Sequence, residues 1–156
     1  MLETLQNFTL SLPEWARWTG VILISAIPFI ESYLGSAIGI MAGINPVVAI
    51  ISAIIGNTAS MLLLVFGAHK LRKRVSKDDE SSMGPKKAKL KRLFDKWGVP
   101  GVSLLGQTFL PSQITSMTMV SFGASRNAVA GWQFVSIVLW GVLFGSLAAA
   151  GIMAFG

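Results

Sequence analysis

The chain is poor in charge and in chemically reactive side chains. Its 156 residues include no cysteine, one histidine, one tyrosine and only 13% charged residues. The lack of cysteine excludes disulfides and thiolate chemistry. His69 stands at the edge of an apolar block, and the chain shows no acid pair, zinc motif or Ser/His arrangement, so we expect no enzyme, metal or cofactor site. Soluble domains carry about 25% charged residues, so this composition predicts an all-α integral membrane protein.

The basic residues are concentrated in one segment. Residues 69–97 hold eleven of the 13 Lys and Arg residues and four of the seven acids. Because the segment lies between two apolar blocks of membrane length, it predicts cytoplasmic orientation and anionic lipid headgroups, with no nucleic-acid partner. Its second part, Lys86–Trp97, has the pattern of a basic amphipathic helix. Headgroup anchoring is the favoured role and specific phosphate binding the alternative. The cations assigned to headgroups are Lys86, Lys87, Lys89, Lys91 and Arg92.

We interpret the chain as a single multi-pass domain of the cell membrane. Apolar residues at helical spacing and two interfacial tryptophans predict that residues 1–17 form an amphipathic helix on the membrane surface, with a frayed terminus as the alternative. The predicted segments are this interfacial helix at 1–17, a broken hairpin at 18–45, a transmembrane helix at 46–68, the basic cytoplasmic segment at 69–97, a second broken hairpin at 98–125 and a transmembrane helix at 132–155.

Two uncharged blocks are each interrupted by a proline. Pro28 breaks residues 18–45, and Pro111 breaks residues 98–125. As one helix the first block would span ~42 Å, but its halves are each too short for a ~30 Å bilayer core. This predicts an inverted repeat of two re-entrant hairpins, each followed by a transmembrane helix. Such repeats with broken helices point to a transporter site. Four full spans are the alternative, and they also keep the basic segment inside.

One acidic residue lies within the first hairpin. Glu31 is the only charged residue between Trp18 and Ala68. An ionised carboxylate at bilayer depth costs about 2.5–3.5 kcal/mol on insertion scales, so such a residue usually faces the protein interior and has a function there. We interpret Glu31 as a protonatable coupling residue; the alternative is that it caps the second half of the hairpin. The substrate- or ion-binding residues predicted with it, around the two breaks and at mid-span, are Pro28, Asn57, Pro111, Gln113 and Thr115.

Glycines recur every four residues after Glu31. Gly35, Gly39 and Gly43 leave one face of the second half-helix without side chains, which predicts close helix packing there. The packing partner is either the same hairpin or a second copy of the chain. With few membrane elements to shield a polar site from lipid, we expect a two-fold homodimer.

Parts of the chain resemble known families. The stretch IPFIESYLGSAIGI followed by GINPVVAIISAIIGN resembles the signature of the small multidrug export proteins. The stretches FLPSQIT and SFGASRN, followed by a tryptophan, are similar to the hairpin of the related DedA (VTT, SNARE-associated) superfamily. The resemblance covers residues 20–145 and implies membrane transport, which in DedA proteins is proton-linked movement of lipid phosphates. DedA proteins typically place an arginine after the second proline, whereas Ser112, Gln113 and Ile114 follow it here. Charge pairing with an anion is therefore not carried over.

These observations predict a small proton- or ion-coupled secondary transporter. It would move an amphipathic substrate or a lipid, such as a phospholipid or a polyprenyl phosphate, with Glu31 as the protonatable residue and Gln113 as its hydrogen-bond partner. The alternative is a non-transporting membrane scaffold or assembly factor. Transport predicts gradient-dependent flux that is lost in Glu31→Gln, and a scaffold predicts a function independent of the gradient.

Overall fold

A computed structural model describes residues 1–67 and 84–155, with side chains to residue 151. The described chain is entirely helical, which confirms the all-α prediction. Two 3₁₀ turns occur at Glu14–Ala16 and Gly106–Thr108, and a π-helical turn at Leu63–Gly67 follows α4. His69 and the first part of the predicted basic segment lie outside the described residues. The α-helices are α1 (Leu2–Ser11), α2 (Arg17–Ser25), α3 (Glu31–Met41), α4 (Pro46–Leu62), α5 (Pro85–Leu105), α6 (Ser112–Ser121) and α7 (Arg126–Phe155).

The chain divides into two compact units. Unit 1 comprises Met1–Ala59 and Ile137–Gly156, and unit 2 comprises Ser60–Ser136. The sequence predicts one membrane domain over 1–156, and the boundaries of the units fall inside α4 and α7. Each unit therefore contains part of both long helices.

Two helical stretches are long and apolar enough to cross a bilayer. They are Pro46–Gly67, with 22 residues, and Arg126–Gly151, with 26. Only 33% and 22% of their most apolar windows are buried, so most of each stretch presents apolar side chains outward. The second begins at Arg126 and not at residue 132 as predicted. The Ser125 hydroxyl accepts a hydrogen bond from the Ala128 N–H at 3.4 Å, so the helix starts at this cap although its first turn is polar.

In unit 1, α2 and α3 form an antiparallel hairpin. A Cβ added to Gly35 would overlap the Ser25 hydroxyl, and one added to Gly39 would lie 2.9 Å from Val21 Cγ2. Gly35 and Gly39 therefore pack inside the hairpin, and a contact of the same glycines with a second copy of the chain stays a prediction. With 9 and 11 residues, the two helices are ~14 and ~17 Å long. Each is shorter than a bilayer core.

The first helix is shorter than predicted and packs on this hairpin. It ends at Ser11, because Pro13 and the 3₁₀ turn intervene before α2. Leu5 packs against a buried cluster of Ile24, Ile30 and Ile38. Residues 1–16 are thus a helix and a turn. Leu5 of the apolar stripe contributes to the core of unit 1, whereas Leu2 and Phe8 are exposed.

The two long helices approach the hairpin at small residues. A Cβ at Gly56 would overlap the backbone carbonyl of Ile22, so α4 and α2 are in backbone contact. On α7, a Cβ at Gly141 would lie 3.2 Å from Ser32 Cβ, and one at Gly145 would overlap Ile50. Close approach of this kind is typical of helix pairs in membranes.

In unit 2, α5 is broken at Gly98, where φ is +66°. The break separates a basic arm, residues 85–97, from a second arm, residues 99–105. The basic arm folds back, since a Cβ at Gly106 would lie 3.2 Å from Leu90 Cδ2. The Phe94 and Phe122 rings also meet at 5.5 Å between centroids. Apolar residues of the predicted amphipathic helix thus pack within the protein.

The short helices α3 and α6, which precede the long helices α4 and α7, end in the same way. Gly43 (φ +82°) and Gly123 (φ +99°) close α3 and α6, and the next N–H donates to a carbonyl five residues back at 3.1 Å in each case. These are left-handed glycine caps of the Schellman type. Within the described chain nothing lies within 4 Å of a Cβ built on Gly43. Gly43 therefore serves the turn and does not pack within the hairpin, and its contact with a second copy of the chain stays a prediction.

Candidate functional site

The first break places Glu31 in a buried and strained position. Five residues, Ala26–Ile30, separate α2 from α3, and Pro28 stands in the middle of them, exposed. Phe29 and Glu31 adopt left-handed φ values of 73° and 53°, which cost roughly 1–3 kcal/mol each and recur at functional sites. Phe29 is exposed, whereas Glu31 is 1% exposed. The break therefore carries a carboxyl group into the interior of unit 1.

The helix that starts at Glu31 has an apolar residue at its N-cap. Ile30 holds that position, and no side-chain capping hydrogen bond is made from it. Ile30 itself is buried in the apolar cluster, with 2% of its surface exposed. Glu31 is thus buried together with its neighbour Ile30, which packs in the apolar cluster.

Buried hydroxyl groups surround this part of unit 1. The Ser32 hydroxyl donates to the Ile137 carbonyl at 2.8 Å. The Ser36 hydroxyl is shared between the Tyr33 carbonyl of its own helix, at 3.0 Å, and the Gly141 carbonyl, at 3.2 Å. The Ser25 hydroxyl is buried without a hydrogen-bond partner among the described residues. Asn57, a predicted site residue, has no exposed surface and follows the glycine that contacts α2. Beside its apolar core, unit 1 thus buries several neutral polar groups and one carboxyl.

The second break lies in unit 2 and is organised by Pro111. Pro111 is the N-cap of α6, and the Thr115 hydroxyl donates across the break to the Leu110 carbonyl at 3.2 Å. The Gln113 amide donates to the Ser60 hydroxyl at 2.9 Å. Gln113 and Thr115, both predicted site residues, are 1% and 0% exposed. The predicted hydrogen bond between Gln113 and Glu31 would join two different units and stays a prediction.

Two further buried amides were not among the predicted site residues. Gln107 and Gln133 are 9% and 0% exposed, and neither amide has a hydrogen-bond partner among the described residues. Unsatisfied buried polar groups cost about 1–3 kcal/mol each, so both are candidates for contacts with water or a polar ligand. Gln107 stands among the polar residues near Pro111. Gln133 follows Trp132, and a glutamine inside an otherwise apolar span is the signal that could have identified it.

The cations of the basic arm lie in an ion pair, near aromatic rings or along two open clefts. Lys91 pairs with Asp95 at 2.7 Å, and its ammonium lies 5.2 Å from the centre of the Phe122 ring. Lys89 lies 5.5 Å from the centre of the Phe109 ring. An open cleft of about 400 Å³ is lined by Lys89, Arg92, Leu93, Lys96, Trp97 and Phe109. A second cleft, of about 580 Å³, is lined by Gly84, Pro85, Lys86, Lys87, Leu110, Ile114 and Thr118.

Of the cations assigned to headgroups, only Lys89 and Arg92 line the first cleft. Lys96, which was not assigned, joins them there. Trp97 beside them is 60% exposed, and aromatic side chains of this kind are enriched at membrane–water interfaces. The arrangement suits a negatively charged surface or group.

Among residues 1–67 and 84–155, no three His, Asp or Glu side chains are grouped so that they could hold a metal ion. Comparisons with protein-family models, curated proteins and solved structures found no match. The resemblance to the small multidrug export and DedA families therefore rests on the sequence stretches quoted above.

Proposed function

We propose that the chain is an integral membrane secondary transporter in which Glu31 carries the coupling proton. The observation that carries this proposal is a 1% exposed carboxyl at the junction of two short antiparallel helices, in a chain with very few charges. Burying an ionised carboxylate is expensive, so the dry state favours the protonated form, and access of water favours ionisation. A group that changes charge with hydration is what proton coupling requires.

The membrane arrangement follows from the lengths of the helices. Pro46–Gly67 and Arg126–Gly151 are the two crossings. Because α2 and α3 are ~14 and ~17 Å long, they suit a hairpin that enters and leaves on one side. Each half of the chain repeats the order of break, short helix, glycine cap and long helix, which supports an inverted repeat. This arrangement places both termini outside and the basic segment in the cytoplasm.

The substrate class is an amphipathic molecule or a lipid. The breaks carry neutral donors and acceptors, such as the Gln113 amide, and the outward surfaces of the long helices are apolar. A phospholipid or polyprenyl phosphate could keep its chains in the bilayer while its polar end passes the breaks. The family resemblance points in the same direction. Anionic headgroups at the basic arm and a homodimer complete the proposal.

The experiment is a flux measurement in reconstituted vesicles under an imposed pH gradient. Fluorescent phosphatidylglycerol and a short-chain polyprenyl phosphate report lipid movement, and an internal pH dye reports proton entry. We expect parent activity in Glu31→Asp and loss of gradient-driven flux in Glu31→Gln, with unchanged thermal stability. Glu3→Gln is the matched control, because it neutralises an exposed acid on α1.

Each outcome has a defined meaning. Flux in Glu31→Gln equal to the parent would overturn the coupling role of Glu31. Absence of gradient-dependent lipid or proton flux in the parent would overturn transport of these substrates and favour the scaffold. Glu31→Ala removes the hydrogen-bonding groups as well and should lower stability by about 1–3 kcal/mol for each buried partner left unsatisfied.

A further inference from the structure

A small polar cleft in unit 1 lies apart from Glu31. Its volume is about 200 Å³. Its lining comes from the start of α2 and from the turn between α3 and α4. These segments meet because α2 and α3 are antiparallel, which brings the beginning of one near the end of the other. The lining residues are Glu14, Arg17, Trp18, Gly43, Ile44, Asn45 and Val48.

Arg17 lines this cleft and is half-buried. Its Nε is buried and has no hydrogen-bond partner among the described residues. A guanidinium offers five N–H donors and no acceptor, so its unmet requirement is for an oxygen-rich acceptor such as phosphate or carboxylate. Arginine also matches phosphate geometry better than lysine does.

The opposite wall of the cleft is the beginning of α4. Asn45 caps this 17-residue helix, with its side-chain oxygen accepting the Val47 N–H at 3.0 Å. Pro46 has no N–H and the Val47 N–H is capped, so this helix end contributes mainly its partial positive charge, which favours an anion. The guanidinium and the helix end therefore both attract a negative group to the cleft.

Glu14 makes a simple anion a poor fit. This exposed carboxylate lines the same cleft as Arg17 and would repel a lone phosphate. A molecule that carries an ammonium next to its phosphate can pair the phosphate with Arg17 and the ammonium with Glu14. The Trp18 indole N–H is held by the Trp15 carbonyl at 2.9 Å, so the ring is anchored and can offer its face to an ammonium group.

We propose that this cleft binds the headgroup of a zwitterionic phospholipid, with the phosphate at Arg17 and the ammonium at Glu14. A primary ammonium, as in phosphatidylethanolamine, can donate hydrogen bonds to the carboxylate. The proposal rests on the membrane insertion put forward above, but not on transport or on Glu31. The bound lipid would hold the start of α2 to the α3–α4 turn and so close the open end of the hairpin.

The test is a thermal-stability titration of the purified full chain in mild detergent. The added probes are phosphatidylethanolamine, phosphatidylglycerol and inorganic phosphate. We expect phosphatidylethanolamine to raise Tm at the lowest concentration. Arg17→Gln should weaken this response about tenfold, the loss of one charge-assisted hydrogen bond. Glu14→Gln should remove the preference for phosphatidylethanolamine over phosphatidylglycerol while keeping the response to both.

Controls separate this proposal from misfolding and from the transport proposal. Arg126→Gln removes an arginine from unit 2 and should respond like the parent. If Arg17→Gln fails to fold, the lipid responses of Tm in Arg17→Lys and Glu14→Gln still test the proposal. Stabilisation by inorganic phosphate equal to that by lipid would assign the cleft to free anions. Equal effects of the two lipids on the parent, or a parent-like Arg17→Gln, would overturn the proposal. Loss of flux in Glu31→Gln, together with a parent-like lipid response of Tm in Arg17→Gln, would support the transport proposal and overturn the lipid-binding proposal.

Discussion

The hydroxyl of Ser32 donates a 2.8 Å hydrogen bond to the backbone carbonyl of Ile137, a residue 105 positions later in the chain. One turn further along α3, the Ser36 hydroxyl lies 3.2 Å from the Gly141 carbonyl and shares its hydrogen with the Tyr33 carbonyl of its own helix at 3.0 Å. The Ile137 and Gly141 carbonyls lie inside the long helix α7, so the hydroxyls add bonds from outside to a regular helix. The pair fixes the register of α3 against α7 at two successive turns.

Removing these two hydroxyls should loosen unit 1 without unfolding it. Hydrogen bonds between membrane helices contribute about 0.6 kcal/mol on average, so Ser32→Ala and Ser36→Ala together should lower Tm measurably in a detergent melt. Ser11→Ala is the control, because the Ser11 hydroxyl bonds the Phe8 carbonyl within its own helix. An unchanged Tm in the double variant would show that close packing, and not hydrogen bonding, holds α3 to α7.

Two glycines of α7 should respond differently to the same substitution. A Cβ at Gly145 would overlap the side chain of Ile50, whereas nothing in the described chain lies within 4 Å of one at Gly151. We expect Gly145→Ala to lower Tm, because over-packing typically costs about 1–3 kcal/mol. Gly151→Ala should be neutral or slightly stabilising, since alanine favours helix. A parallel melt of both variants checks the difference, and equal effects would contradict the packing of α7 on α4.

The hydroxyl of Thr115 should matter more than that of Thr118. Thr115 bonds the Leu110 carbonyl across the break at Pro111, where regular helical donors are missing, while Thr118 bonds the Ile114 carbonyl within α6. Thr115→Val should therefore cost about 1–3 kcal/mol through an unsatisfied carbonyl. Thr118→Val is the matched control and should cost less. If chemical unfolding in detergent ranks them the other way, Thr115 does not stabilise the break.

The position of the N-terminus tests the re-entrant arrangement. Since the chain has no cysteine, a cysteine introduced at Thr4 is the only thiol present. Two re-entrant hairpins with two crossings predict that a membrane-impermeant reagent labels the Thr4 position from outside. Labelling of that position only after the cytoplasmic side is opened would favour four full spans. A cysteine at Lys89 is the control and should be labelled from the cytoplasmic side in both arrangements.

The hairpin of unit 1 was predictable because its signals are local. Pro28 marks the break, and the four-residue spacing of Gly35 and Gly39 marks the face that packs on α2. The start of α7 was placed too late because the prediction followed apolarity, whereas Ser125 sets the helix boundary by its cap. A hydropathy pattern does not identify a polar first turn as part of a helix, although polar residues can form one.

The candidate site was predictable in part. Glu31 and Asn57 stand out as polar residues within apolar runs, and both are buried in unit 1. Arg17 was not among the predicted site residues, since its cleft depends on the α3–α4 turn, which lies far from it in sequence. The folding back of the basic arm depends on the left-handed Gly98. A glycine in a charged region gives no indication of which conformation it adopts.

The matching caps at Gly43 and Gly123 make the geometry of the two turns independent of the helices beside them. Each turn is specified by a glycine and by the Asn45 or Ser125 that starts the next helix. Only glycine adopts such φ values at little cost. The apolar residues of the flanking helices can therefore change while the turns keep their geometry.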